Sequence, residues 1–227
     1  MQDVSLYGHL TFDRVFSKTS NYCSVGSMGN VWKTLNTINP SLKISLNPTA
    51  FGEAVIYVDV DKSERCSIAN LNNFIKSPEI QRSNWHHILY INELKDLSFI
   101  RDINTGVISA DICAGQVLPD LEVLSKIDFL FISDEDLFMD IEALSKLVKG
   151  TVIMHHSGGS IAITGTNRLE NSIKRIDNVN VLGCGDMFAS FFINEYLNTQ
   201  KNSKNIDLNS IIKQSHALVS TTLLNNK

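Results

Sequence analysis

The residues with the clearest chemical potential lie in one stretch. Gly183-Cys184-Gly185-Asp186 is followed by Phe188, Phe191, Phe192 and Tyr196 at helical spacing. The glycines predict a tight turn, and the aromatic period predicts a helix starting from it. Such a turn lets backbone N–H groups approach an anion, and the helix start adds about half a positive charge. A carboxylate at that junction repels phosphate. Asp186 is therefore suited to a different task, taking the proton of a hydroxyl that attacks a phosphoryl group. The same residue type also suits a plain helix cap, and the four-residue string alone does not decide between the two.

Other reactive residue types narrow the chemistry. The four cysteines, Cys23, Cys66, Cys113 and Cys184, are widely spaced without a CxxC pair. They are expected as reduced, packed thiols, with Cys184 placed where a helix dipole favours thiolate. The pairs His86-His87 and His155-His156 fall in strand-like runs. Neighbouring strand residues point to opposite faces, so neither pair chelates one ion. No metal site made directly of protein ligands is expected.

The turn needs a scaffold. Residues 4–10 and 43–46 read as short strands, and Val31, Leu35 and Ile38 mark one face of a helix over residues 28–38, stopped at Asn39-Pro40. Residues 54–60 and 65–69 flank Asp61-Lys62-Ser63-Glu64, a polar hairpin turn. Apolar runs at 88–91, 107–110, 129–132 and 152–154 suit strands buried on both faces of a parallel sheet. Residues 142–148 read as a helix closed by Gly150, and 161–163 as a strand hairpinned on 152–154 through Ser157-Gly158-Gly159. Residues 186–197 and 208–224 predict two helices, with 198–205 a polar loop between them. One α/β domain over residues 1–227, with a small β appendage around 54–69, is the expected organisation.

Composition sets outer limits. Over 227 residues, 43% hydrophobic and 19% charged content supports a sizeable core. A formal net charge of −4 lacks the basic face that nucleic-acid binding requires. No run approaches the roughly 18 apolar residues of a spanning helix. Asp3, His9, Asp13 and Arg14 also break up the start of the chain, unlike a signal peptide. A soluble cytoplasmic protein with neither nucleic acid nor membrane as partner is expected.

Residues 180–192, NVLGCGDMFASFF, resemble the C-terminal signature of the PfkB/ribokinase-like carbohydrate kinases. Gly8-His9-Leu10-Thr11-Phe12-Asp13 is similar to the family's opening strand, and Val25-Gly26-Ser27-Met28-Gly29-Asn30-Val31 to the segment that starts its first helix. Residues 52–65 resemble the strand pair of its lid, which ends in Gly-Glu-Arg. In order, these pieces span nearly the whole chain. The resemblance implies a ribokinase-like three-layer α/β sandwich with a mostly parallel central sheet and a small β lid. It further implies an ATP-dependent phosphotransferase acting on a hydroxyl of a sugar or sugar-like molecule. By that resemblance Asp186 is the base, and the amides of Gly183, Cys184, Gly185 and Asp186 form the anion hole. Asp13, Gly26 and Asn30 hold the acceptor, and ATP with Mg²⁺ is the donor.

Several positions depart from the family pattern. Val25 stands where a glycine is expected. The Asn-x-x-Glu that organises metal and phosphate reads Ser133-Asp134-Glu135-Asp136, which puts Ser133 and a Mg²⁺-linked Asp136 in its two positions. The Thr-x-Gly-x-x-Gly of the nucleotide phosphates reads Met154-His155-His156-Ser157-Gly158-Gly159, with only Gly159 in register. Ser157 there suits a phosphate contact or a hairpin turn. Residues 43–47 lead almost directly to Gly52, implying a smaller sheet and a pocket that is open or completed by a second subunit. Two rival expectations follow. One is a ligand-binding member without turnover, and the other a nucleoside kinase whose pocket stacks a base on aromatic rings. The lid pair is also a sheet edge suited to a homodimer.

Overall fold

Alternation within the central strands decides the layering of this computed structural model, which describes residues 2–113, 117–202 and 205–225. The strands are β1 (Gln2–Ser17), β2 (Asn21–Ser24), β3 (Ile44–Asp59), β4 (Glu64–Asn72), β5 (Ser83–Ile88) and β6 (Val107–Ile112). They continue with β7 (Phe129–Ser133), β8 (Thr151–His156), β9 (Gly159–Thr164) and β10 (Asn167–Ser172). The helices are α1 (Gly26–Ile38), α2 (Leu121–Leu124), α3 (Ile141–Ser145), α4 (Cys184–Asn202) and α5 (Leu208–Asn225).

Leu130 and Ile132 of β7, with Val152 and Met154 of β8, pack on Val123, Leu124, Ile141 and Leu144 of α2 and α3. Phe129, Phe131 and Ile153 point the other way, onto Met28, Val31, Leu35, Phe188, Phe192 and Ile211 of α1, α4 and α5. Burying each such side chain contributes about 1.5–3 kcal/mol. One sheet between two helical layers follows, the three-layer α/β sandwich expected from the sequence. The strand order is β10-β9-β8-β7-β6-β5-β1-β3-β4, with β2 beside β1. Pairings from β3 through β1, β5, β6 and β7 to β8 are parallel. Those of β2, β4, β9 and β10 are antiparallel.

The largest departure from the predicted elements concerns the first strands. Residues 4–10 are part of a 16-residue strand that runs to Ser17. Residues 44–46 and 54–59 belong to one continuous strand that also takes in residues 47–53. The register of β1 on β3 shifts between Gly8 and His9, and such an irregularity bends a strand. Beyond it, β1 and β3 carry β2 and β4 as a four-stranded lid with its own small core of Val15, Ala54, Ile56 and Val58.

Strand β5 lies at Ser83–Ile88 rather than 88–91, where neighbouring strands take up part of its polar groups while the Nε2 atoms of His86 and His87 stay buried without a partner among the described residues. Trp85 Nε1 donates to Ser109 Oγ at 2.7 Å, and His87 Nδ1 lies 2.8 Å from the same oxygen. His86 stacks on Tyr7 and His87 meets Phe131, on opposite faces of the sheet. Residues 198–202 extend α4 instead of forming a loop, and β2, β10 and α2 have no counterpart among the predicted elements.

Candidate active site

The cleft opens where parallel strands end. Asp111, Ile112 and Cys113 at the end of β6, Ser133 and Asp136 after β7, and His155 at the end of β8 form its floor. Open parallel sheets bind ligands at this carboxyl edge. The inner face of the lid forms the roof, where cross-strand partners bring Asp13, Ala54 and Ala69 into one row. Between them lies a cavity of about 370 Å³.

Asp186 occupies the first turn of α4 and is 5% exposed. Its Oδ2 accepts from Asn30 Nδ2 at 2.8 Å, and its Oδ1 accepts from Ser27 Oγ. Both donors stand on α1, so α1 aims the carboxylate. Burial raises the Asp186 pKa above the ordinary carboxylate range; Ser27, Asn30 and then the Arg65 guanidinium pull it back. Ser190, one helical turn on, donates to the Asp186 carbonyl at 2.7 Å and fixes the backbone beneath it.

The preceding turn requires Gly183, whose φ is +77°, a conformation that costs a residue with a side chain about 1–2 kcal/mol. Of the four N–H groups assigned to the anion hole, Cys184's is committed elsewhere: it donates to the Val181 carbonyl at 3.1 Å. Gly183, Gly185 and Asp186 have no backbone acceptor among the described residues, as the first N–H groups of a helix must. The Cys184 side chain is a protonated thiol, in line with the expected packed cysteine. Burial first, then the Asp186 charge, pushes the thiol up to about 12, overriding the helix dipole.

Asp13 lies in the lid roof and accepts from Thr11 Oγ1 at 2.6 Å. Burial raises its pKa, offset in part by Thr11 and by the Gly26 N–H. Gly26 has φ +27°, and a side chain there would begin 2.3 Å from Thr11 Oγ1. It therefore lets α1 start against the lid and holds Asp13. Ser133 and Asp136 both line the cleft, with Ser133 Oγ donating to Asp136 Oδ2 at 2.9 Å. Ser157 and Gly159 do not join them. Ser157 is exposed at the β8–β9 turn, and Gly159 packs where a side chain would start 1.8 Å from the Asn171 carbonyl oxygen of β10. The glycine that remained in register thus serves hairpin packing.

Sequence reasoning missed Ser27, Asp111, Tyr90 and His155 as site residues. Asp111 is the one charged residue of β6. Its pKa is well raised by burial and then by Asp186 and Asp136, with Arg65 opposing. Tyr90 stands in the left-handed region at φ 51°, a strain that gathers at functional sites. Arg65 reaches down from β4 to within 3.9 Å of Cys113 Sγ and is the only permanent cation among the described lining residues. Among the described residues no group of three ligands could hold a metal by itself, and no helix is long and apolar enough to cross a membrane.

No protein-family model and no curated protein matches this sequence. Solved structures do. Adenosine kinase from Sinorhizobium meliloti superposes with a TM-score of 0.73 at 13% identity, covering 98% of this chain and 94% of that one. A pyrophosphate-dependent kinase in the ribokinase family, complexed with a pyrophosphate analog and myo-inositol, gives 0.69 at 13%, covering 97% and 95%. Fructokinase from Vibrio cholerae O395 gives 0.67 at 13% over the whole of both chains. The fold is the ribokinase fold.

Proposed function

We propose that this protein is a small-molecule kinase that transfers a phosphoryl group to a hydroxyl of a sugar or sugar-like acceptor. The observation that carries the reading is Asp186, buried at the mouth of a glycine turn with open N–H groups and aimed into a lidded cleft. Phosphoryl transfer needs positioning and charge stabilisation more than covalent help. Asp186 takes the acceptor proton. The N–H groups of Gly183, Gly185 and Asp186 hold the transferring phosphoryl oxygens, and Arg65 offsets the charge that develops there. Asp13 receives acceptor hydroxyls, while Asn30, Ser27 and Gly26 position the two carboxylates.

A polyphosphate with Mg²⁺ fits the cleft as donor. The charges of Asp186 and Asp136 raise the cost of ionising Asp111, so a cation entering with the donor relieves it. Mg²⁺ is commonly held by one or two carboxylates plus phosphate oxygens. Asp136, steadied by Ser133, and Asp111 would hold the ion, which neutralises phosphate charge when bound. ATP is the first donor in this reading, and inorganic pyrophosphate the second, because a pyrophosphate-dependent kinase shares the fold. A hydroxyl-rich acceptor is favoured over a nucleoside. Thr11, Asp13, Ser67 and Glu93 face the cleft, against Tyr90 as its only Phe, Tyr or Trp among the described lining residues.

A homodimer through the lid belongs to the same reading. Phe12, Phe16, Phe51, Val55, Tyr57 and Ile68 share the outer face of the lid, and Ile68 is 81% exposed. Contiguous apolar surface of this kind marks a protein contact, and light scattering of the Ile68→Lys variant tests it. The kinase reading is tested by incubating the protein with ATP or pyrophosphate, Mg²⁺ and a panel of polyols, sugars and nucleosides, with phosphorylated product followed by ³¹P NMR.

A further inference from the structure

His155 is a cleft residue that neither the base nor the turn accounts for. It lies opposite Ser133 in the β7–β8 register, and its carbonyl accepts the Asp134 N–H at 3.1 Å. The Cε1–Nε2 edge of its ring lies 3.4 Å from where a side chain at Gly185 would start. The imidazole therefore rests against the anion turn, and Gly185 leaves that edge uncovered. Phe188 stands between His155 and His216, with ring centroids 5.7 and 4.7 Å away, which fixes the plane of the imidazole. Neither ring nitrogen of His155 hydrogen-bonds another described residue.

His155 is half-buried in the cleft wall, so its ring stays within reach of what enters. An uncommitted imidazole beside open backbone N–H groups leaves the partner to a ligand. We propose that His155 is a donor-binding residue, its imidazole N–H donating to an oxygen of the di- or triphosphate seated on the turn of residues 183–186. This rests on the phosphotransferase reading above and adds to it a contact made by a side chain of this particular chain.

The surroundings give the contact a pH signature. Burial holds His155 at about 4, helped by His216 on α5, His156 on β8 and Arg65 on β4, and opposed by Asp136 after β7. The ring is neutral at pH 7 and keeps one N–H to donate. A polyphosphate arriving beside it favours the protonated form, so binding draws a proton from solvent onto the ring. Affinity then tightens as pH falls, to an extent that depends on this residue.

Calorimetric titration of wild type, His155→Ala and His155→Gln with ATP·Mg²⁺ and, separately, pyrophosphate·Mg²⁺ at pH 8 and pH 6 tests this; the two ligands distinguish a nucleotide from an inorganic source. His155→Ala is expected to weaken binding about tenfold or more. His155→Gln, which keeps an N–H donor, recovers part of the loss at pH 8 and lacks the wild-type gain at pH 6. Both variants binding like wild type overturns the assignment and leaves the kinase reading standing. Wild type binding neither donor removes both. If the variants do not fold, ¹⁵N spectra of the wild-type imidazoles decide: a His155 ring shift on saturation supports the contact, and an unmoved ring overturns it.

Discussion

Asn30 Nδ2 donates to Asp186 Oδ2 at 2.8 Å, linking residues 156 positions apart at the facing starts of α1 and α4. This bond orients the proposed base and lowers its pKa against the effect of burial. Asn30→Leu removes the donor while keeping the volume, so the Asp186 pKa rises. The base works deprotonated, and the acid limb of the kcat profile therefore moves to higher pH, with part of the lost activity returning at pH 9. A loss equal at every pH would mean that Asn30 serves only to pack the helices.

Arg65 acts on the same carboxylate from the other side of the cleft. Its guanidinium lowers the pKa of Asp186 and of Asp111 and lines the cleft of the proposed transfer. Arg65→Gln is expected to reduce kcat about 10²-fold and to move the acid limb upward, with little change in melting temperature. Steady-state kinetics across pH 5–9 reads both effects.

Two glycines separate site from scaffold. Gly183→Ala forces a side chain into a left-handed turn, 3.3 Å from Asn30 Nδ2. It is expected to lower kcat strongly and stability by about 1–2 kcal/mol. Gly159→Ala drives a side chain into the Asn171 carbonyl oxygen of β10. It is expected to lower the urea midpoint more than Gly183→Ala does, with donor KM unchanged in the protein that remains folded. A raised donor KM in Gly159→Ala would return that glycine to the donor site.

Stability also responds to pH through groups remote from the reaction. Burial holds His87 at about 3, and burial followed by His156 holds His216 at about 4. The unfolded chain takes up their protons below about pH 6.5. Stability contributed by the neutral folded forms is thus lost as pH falls from 6.5 toward 4, at about 1.4 kcal/mol per unit for each group. The raised pKa values of Asp13, Asp111 and Asp186 act in the opposite sense, relieving a burial cost on acidification. Urea unfolding at pH 6.5 and pH 5 should show a shallower loss in His216→Phe and a steeper one in Asp186→Asn than in wild type.

The turn, the helix after it and the parallel core were legible because their signals are local. Glycines mark Gly183 to Gly185, and apolar runs mark β6, β7 and β8. What escaped depends on contacts between distant segments. Thr11 and Asp13 lie beyond the strand read at residues 4–10, and pairing with β3 carries the strand through them, with His9, Thr11 and Asp13 lining the cleft. Asp111 and His155 are polar residues near strand ends, and their importance comes from neighbours supplied by α4 and the lid. Gly159 shows the converse error: a motif position kept in sequence but used for packing.

The most direct test is phosphoryl transfer itself, measured by ³¹P NMR for wild type and Asp186→Asn with ATP or pyrophosphate, Mg²⁺ and the acceptor panel. Wild type should phosphorylate at least one hydroxyl-bearing acceptor, and Asp186→Asn should do so about 10²–10⁴-fold more slowly while still binding the donor. Transfer by Asp186→Asn at the wild-type rate, or no transfer by wild type to any acceptor despite donor binding, contradicts the account.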